Sequence, residues 1–544
     1  MQIAVAQINP ALGCFDLNAE KILDFCHKSR EQGAELVIFP ECSIMGYHPF
    51  DLLERKDFVQ KQLLVFKKIQ KLIPKDLVVV LGLITFNKSK LGRPYFNSGV
   101  VFEKGRILFQ FNKQLLPTGD IFDESRFIEP GDLTQNIFKI KGQKIFFTIC
   151  EDIWAWPNEK GFSFYKSNPI NKIKSKVDLI INLSASPFFK NKESLRHFVI
   201  KNTALKLKAP MIYCNMVGAQ DEVIFEGASV VFNKWGKLLF QAKSLREDLF
   251  LLDTEFLNDK TIKKSSSEAK LSSVAALHRA LVLGIRDFCK KTGLKKIHLG
   301  LSGGIDSALV TCLAVDAIGK ENVHLLALPG PYSSPKSEKL ARELAKNIGC
   351  SYQVLSISEA YEKINTYLVK EFKIKEFGIV QENLQARLRG LFLMGYSNAH
   401  NSLLLSTSNK SEYASGYSTL YGDMCGGLAP LGDLTKEDVY KLSNYYNEIN
   451  KKQIIPQEII SRPPSAELRP NQKDQDTLPE YDLLDKAVIK LVEKAGTAKT
   501  SAEKWLLPVL MRTEFKRWQA PPILKVTSHA FGRGRRWPIA FKVG

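Results

Sequence analysis

The sequence predicts an α/β protein of two layered units in series: an N-terminal layered α/β sandwich, then a C-terminal doubly wound parallel sheet. Three observations predict it. From Ile3 to about Phe256, short β-rich runs alternate with amphipathic stretches. Further on, a strand-like run enters the glycine loop Ser302-Gly-Gly-Ile-Asp-Ser307 and then a helix-like segment. Between the two lies a polar, Ser/Lys-biased stretch at 257–272. Domains are therefore expected at 1–256 and 273–544, with 257–272 as linker.

Residues 77–83, 98–102, 178–183, 210–215 and 228–232 read as strands, because β-branched and apolar residues cluster there. Residues 58–73 carry apolar side chains at helical spacing. In the second unit, 273–291 reads as a helix, 297–301 as a strand and 308–318 as a helix, and 323–328 and 352–357 read as further strands. Strand, glycine loop, helix, strand is the rhythm of a parallel sheet that binds ligands at the carboxyl ends of its strands. The Pro-rich region 455–479 reads as loop, before a last helical segment and a basic tail.

With 544 residues, 44% of them hydrophobic, the chain fills two or three cores, and global disorder is excluded. Lys+Arg 77 against Asp+Glu 57 gives a net charge of +20, which suits nucleotides, nucleic acid or an acidic membrane surface. The nine dispersed cysteines show no metal-ligand spacing and point to free thiols in a reducing cytoplasm. The amino terminus starts as a strand without signal-peptide features, and no apolar segment approaches the roughly 20 residues that span a bilayer. A soluble cytosolic protein is expected.

Three reactive side chains end apolar runs: Glu41 after Leu-Val-Ile-Phe-Pro, Lys113 after Leu-Phe-Gln-Phe-Asn, and Cys150 after Ile-Phe-Phe-Thr-Ile. Converging at one sheet edge, they supply a base, a cation and a nucleophile for amide hydrolysis. A thiol beside Glu151 and Asp152 ionises poorly and needs the base. The strings Phe39-Pro-Glu41, Lys113-Gln-Leu-Leu-Pro117 and Cys150-Glu-Asp-Ile-Trp154 resemble the three signatures of the nitrilase, or carbon-nitrogen hydrolase, superfamily. Two others, Glu41-Cys-Ser-Ile-Met-Gly-Tyr and Phe122-Asp-Glu-Ser-Arg-Phe-Ile-Glu-Pro-Gly131, resemble more narrowly the glutaminase domain of glutamine-dependent NAD synthetases. The resemblance implies a nitrilase-like α-β-β-α sandwich in which Cys150 attacks the glutamine amide, Glu41 is base and then acid, and Lys113 assists. It also implies glutamine contacts at Ser186 and Lys192, and at Gly119, where many relatives carry a tyrosine.

The loop Ser302–Ser307 lacks the Gly-Lys-Ser/Thr ending of a Walker motif, but its glycines let backbone wrap an anion at a helix start. It resembles the pyrophosphate loop of ATP pyrophosphatases. Glu382-Asn-Leu-Gln-Ala-Arg-Leu-Arg-Gly390, Ser406-Thr-Ser-Asn-Lys-Ser-Glu412 and Gly416-Tyr-Ser-Thr-Leu-Tyr-Gly-Asp423 resemble the NAD synthetase family from Ser273 onward. That resemblance implies a Rossmann-like, adenine nucleotide α-hydrolase-like domain. ATP contacts fall at Gly300, Leu301, Ser302, Gly303, Gly304, Ile305, Asp306, Ser307, Thr407 and Lys436. Deamido-NAD contacts fall at Asn383, Arg387, Glu412 and Lys516, and Mg2+ ligands at Asp306 and Glu412. Ser408 replaces a glycine usual in relatives, and Leu420 replaces a lysine of ammonia-only relatives.

The implied function joins glutamine hydrolysis to amidation of deamido-NAD through an adenylate, with small molecules as partners, no nucleic acid, no membrane, and homo-oligomeric assembly. Ammonia would pass between the sites in a sealed passage. The basic tail Ser528–Pro538 is read as structural or phosphate-binding. Two alternatives stay open: an RNA-modifying ATP pyrophosphatase, suggested by charge and tail, and a scaffold on a degenerate hydrolase fold.

Overall fold

The computed structural model describes residues 1–89, 91–158, 161–259, 265–266 and 268–540. It divides into two compact units, Met1–Gln220 with Ile224–Leu271, and Ser272–Gly544 with Asp221–Val223.

Two sheets form the centre of the first unit. The six-stranded sheet runs in the order Asp248–Asp253, Gln2–Gln7, Leu36–Ile38, Val78–Phe86, Tyr95–Glu103, Arg106–Asn112. The seven-stranded sheet runs Ser265–Ser266, Leu238–Gln241, Val230–Phe232, Met211–Asn215, Leu179–Ser184, Gln143–Ile149, Ile137–Ile140. Alternation along each strand separates the layers. Ile3, Val5, Leu36, Ile38, Ile145, Phe147, Leu179 and Ile181 meet in the core between the sheets. Their neighbours Phe146, Ile180, Met211 and Tyr213 pack instead with Val199, Ile200 and Ala204 of helix Lys192–Leu207. Helices Phe15–Glu31 and Lys56–Leu72 lie along the six-stranded sheet, the latter burying Val59, Val65, Phe66 and Ile69 at helical spacing. This is the expected α-β-β-α sandwich.

The second unit holds a four-stranded parallel sheet in the order Ser351–Val354, Val323–Ala327, Ile297–Gly300, Leu403–Leu404. The connection reverses at Ile297–Gly300, so its carboxyl end is the topological switch point where such sheets bind ligands. His298 and Gly300 face helix Ile379–His400. Ile297 and Leu299 therefore face the other way. Helices Lys410–Ser415, Tyr481–Val488 and Ser501–Arg512 bury a separate cluster around Tyr413, Leu484 and Leu506.

Two expectations change. The region 455–479 contains the helix Gln457–Ser461 and the turn Asp474–Asp476. The stretch read as linker contributes strand Ser265–Ser266, paired in parallel with Leu238–Gln241. Positions 260–264 and 267 of that stretch, and 541–544 of the tail, lie outside the described residues.

Candidate active sites

Lys113 follows strand Arg106–Asn112 directly and Cys150 follows Gln143–Ile149 directly, while Glu41 stands three residues beyond Leu36–Ile38. The strand ends are stapled together. Asp152 accepts from the backbone N–H groups of Gln114 and Leu115 at 2.9 Å and of Ile149 at 2.8 Å, tying the Lys113 loop to the Cys150 turn. Glu41 Oε2 accepts from the Ala185 N–H at 2.9 Å, reaching the exit of strand Leu179–Ser184. Gly82 makes room for this approach, because a Cβ there would stand 2.6 Å from the Glu41 Cα and the Pro40 carbonyl.

Lys113 Nζ donates to Glu41 Oε1 at 2.9 Å and to Glu124 Oε1 at 2.7 Å, and all three residues are buried. Asn97 Nδ2 donates to Glu41 Oε1 at 2.7 Å and the Tyr47 hydroxyl to Glu124 at 2.7 Å. Burial opposes the Lys113 charge, yet Glu124 and Glu41 outweigh it and keep the ammonium well above its usual range. Burial pushes Glu41 up, with Lys113 opposing and Glu124 adding to the rise. Burial acts on Glu124 too, but Lys113 and Tyr47 hold it below the usual carboxylate range. The two carboxylates thus divide the work: Glu124 balances the ammonium and Glu41 can take up a proton. Burial and the Glu41 charge push the Cys150 thiol up, so it rests protonated. Cys150 also holds φ 41, a left-handed backbone rare for non-glycine residues, at the first position of the short helix Cys150–Ile153.

The residues read as glutamine contacts surround this centre unevenly. Lys192 is buried, donates to the Pro187 carbonyl at 2.7 Å, lies over the Trp154 and Phe189 rings, and is lowered to about 8 by burial. Ser186 is buried, its N–H held by Asn215 Oδ1 at 2.9 Å. Gly119 is exposed in the two-residue strand Thr118–Gly119, with φ +97 and open space where a side chain would project. Glu124 and Asn97 received no role from the sequence. Glu124 lies inside the string 122–131, but its place after a hairpin reads as solvated loop. Asn97 stands just before the run 98–102 read as a strand, and the structure places it inside strand Tyr95–Glu103.

In the second unit a cleft of about 440 Å³ opens at the switch point. Gly300, Leu301, Ser302, Gly304, Ile305, Asp306, Ser307, Thr407, Glu412 and Lys436 all line it. Gly303 does not; with φ +78 it lies against the Ser337 carbonyl, where a Cβ would clash. Ser302 and Ser307 share a hydroxyl contact at 3.1 Å, and Gly304 N–H donates to Ser302 Oγ at 3.2 Å, so the loop is already wrapped around the start of helix Ile305–Ile318. Lys436 Nζ donates to Asp306 Oδ2 at 2.5 Å and lies 3.6 Å from Glu412. Burial, reinforced by Asp306, raises Glu412 to about 8, against the pull of Lys436.

That surplus of negative charge suits an added cation. Asp306 and Glu412 offer hard oxygens beside a phosphate loop, which fits Mg2+ carried by phosphates rather than caged by protein. No group of three His, Cys, Asp or Glu with metal-binding geometry occurs among the described residues.

Asn383, Arg387 and Lys516 stand apart from the cleft's lining but grip one segment. Thr419 Oγ1 donates to Asn383 Oδ1 at 2.8 Å, Arg387 Nε donates to the Leu420 carbonyl at 3.3 Å, and Lys516 Nζ donates to the Gly416 and Ser418 carbonyls at 2.8 and 2.7 Å. The tail folds back beside Lys516: Arg535 donates to Glu514 at 2.6 Å and stacks on the Trp537 ring at 3.8 Å.

Residues 2–254 match the carbon-nitrogen hydrolase family and residues 277–519 the NAD synthase family. Fold and sites together define a class in which an amide-hydrolysing unit and a nucleotide-dependent synthase unit share one chain. The glutamine-dependent NAD(+) synthetase of Synechocystis sp. is 41% identical, covering 99% of this chain and 98% of that protein, and that of Acinetobacter baylyi is 37% identical with the same coverage. The solved glutamine-dependent NAD+ synthetase from Acinetobacter baumannii, in complex with ADP, is 34% identical over 99% of this chain and 98% of its own, with a TM-score of 0.77. The chain belongs to the glutamine-dependent NAD(+) synthetase family.

Proposed function

We propose that the first unit hydrolyses glutamine and the second amidates deamido-NAD to NAD with the ammonia released. The observation that carries this reading is the buried Lys113 ammonium bridging Glu41 and Glu124 at the strand ends that also present Cys150. Glu41 takes the thiol proton as sulfur bonds to the amide carbon, and Lys113 balances the oxyanion. Glu41 returns the proton to nitrogen, ammonia leaves, and water then cleaves the thioester with Glu41 again as base. Lys192 and Ser186, with the Gly119 backbone, hold the substrate.

In the second unit the nicotinate carboxylate oxygen of deamido-NAD attacks the α-phosphorus of ATP and pyrophosphate leaves. Ammonia adds to the adenylate carbonyl, loses a proton, and AMP departs. The wrapped loop Ser302–Ser307 and Lys436 bind the triphosphate, and Asn383, Arg387, Glu412 and Lys516 take the dinucleotide. Asp306 and Glu412 would hold Mg2+, which would supply charge neutralisation of the phosphates. The relative solved with ADP supports an adenine nucleotide here.

We further infer a cytoplasmic homo-oligomer acting on small molecules, without nucleic-acid or membrane partners. Nine free cysteines support a reducing compartment, and among the described residues no helix is long and apolar enough to cross a membrane. Light scattering checks the assembly. The deciding assay detects NAD by mass spectrometry from deamido-NAD, ATP, Mg2+ and glutamine. Cys150→Ala abolishes the glutamine-driven product and keeps the ammonium-driven one; normal glutamine-driven turnover by this variant would refute the reading.

A further inference from the structure

We infer that Glu467 is a positioning residue for the nucleotide cleft: its carboxylate fastens the 462–474 segment to the start of helix Pro335–Ile348 and so sets Arg462 for the triphosphate. This rests on the reading that the cleft takes ATP. Glu467 Oε2 accepts from the Ser334 N–H at 3.0 Å, and Oε1 accepts from the Ser337 hydroxyl at 2.5 Å and from Arg462 Nη2 at 2.8 Å. Arg462 Nη1 donates to Ser337 Oγ at 2.8 Å, closing a ring of three side chains. Ser334, Ser337, Arg462 and Glu467 all line the cleft.

The ring touches the phosphate loop directly, because the Ser337 carbonyl lies against Gly303. Two further ties hold the segment to helix Ile379–His400: Gln385 Nε2 donates to the Leu468 carbonyl at 2.9 Å, and Arg469 Nη1 donates to Glu382 Oε1 at 3.5 Å. Glu467 and Arg462 are only 18% and 20% exposed, so their attraction is weakly screened. Glu467 also holds φ +49, a backbone that non-glycine residues keep only where contacts over-determine it. Arg462 spends two of its donors on the ring and keeps the others for an incoming anion, with its rotamer already fixed. Pre-orientation of this kind improves nucleotide binding more than the chemical step.

The test uses the full chain with ammonium as nitrogen donor, which bypasses Cys150. Glu467→Gln and Ser337→Ala should each raise KM for ATP about tenfold while kcat changes less than about threefold. The double variant should be no worse than the poorer single, because both break one network. Amide exchange at 465–469 and 471–474 should quicken in nucleotide-free Glu467→Gln and slow again with a non-hydrolysable ATP analogue. Unchanged KM and exchange, or penalties that simply add, would overturn the assignment. If Glu467→Gln fails to fold, Ser337→Ala reads the same contact from the helix side. A wild-type protein that forms no AMP from ATP would sink the functional reading instead.

Discussion

Burial decides the charge of the groups around Cys150, and Lys192 makes the point measurable. Its ammonium, lowered to about 8, is charged below that pH and neutral above it. If the charge helps hold glutamine, kcat/KM for glutamine falls as pH rises through about 8. In Lys192→Arg, which stays charged, that falling limb should disappear even if the absolute rate drops; a limb that persists unchanged belongs to another group. The reactive trio was legible because each member ended an apolar run, and a strand that ends at a sheet edge delivers its next side chains there. Glu124 and Asn97 were not. Their roles come from pairing between distant segments, with Glu124 reaching Lys113 eleven residues away and Asn97 reaching Glu41 fifty-six residues away. No local pattern encodes such pairs.

Elements carry two further expectations. Gly82→Ala would drive a methyl into the Glu41 backbone, displacing the base. Glutamine-driven synthesis should fall at least about tenfold, equivalent to ~1.4 kcal/mol in the barrier, with ammonium-driven synthesis retained. Equal loss of both would place the damage elsewhere. In the second unit His298 clamps helix Ile379–His400, its Nε2 on the Leu393 carbonyl at 2.9 Å and its Nδ1 on Ser402 Oγ at 3.0 Å. The Tyr396 ring packs against it at 4.9 Å and in turn contacts the rings of His324 and His400. Burial lowers His298 to about 4, and His324 and His400 add to the fall. The unfolded chain therefore binds protons first, so the stability is intact above about 6.5 and is lost as pH falls from there through about 4. The loss should be on the order of 2 kcal/mol, and His298→Gln should flatten this part of the thermal-unfolding pH profile. The main strands and helices were readable from their periods. Helix Gln457–Ser461 was not, because the six residues between Pro456 and Pro463 make too short a window for a helical pattern. Strand Ser265–Ser266 escaped for the same reason: two serines carry no alternation, and only pairing with Leu238–Gln241 makes them a strand.

At the scale of the molecule, two machines with separate cores should fail separately. Lys436→Met removes the cation between Asp306 and Glu412, leaving two carboxylates facing each other in a buried site. NAD formation should drop at least about a hundredfold with either nitrogen source, a cost of ~2.7 kcal/mol or more. Electrophile labelling of Cys150 should continue in that variant; loss of labelling would mean the units do not fold independently. Some of the cations, from whose excess an RNA-modifying alternative was drawn, are neutralised inside the fold. Arg517 and Arg535 converge on Glu514, and Lys410 is buried with Asp433 and Glu493. Composition reports how many cations there are, not which are already neutralised.

The resting state of the thiol bears on how this chain withstands its surroundings and how it can be blocked. A sulfur kept protonated by burial and by the Glu41 charge reacts slowly with peroxide and with general alkylating agents, which seek thiolates. Inhibitors that rely on intrinsic warhead reactivity should therefore be weak against Cys150, whereas a mild electrophile shaped like a primary carboxamide, able to borrow Glu41 on arrival, should gain potency and selectivity together.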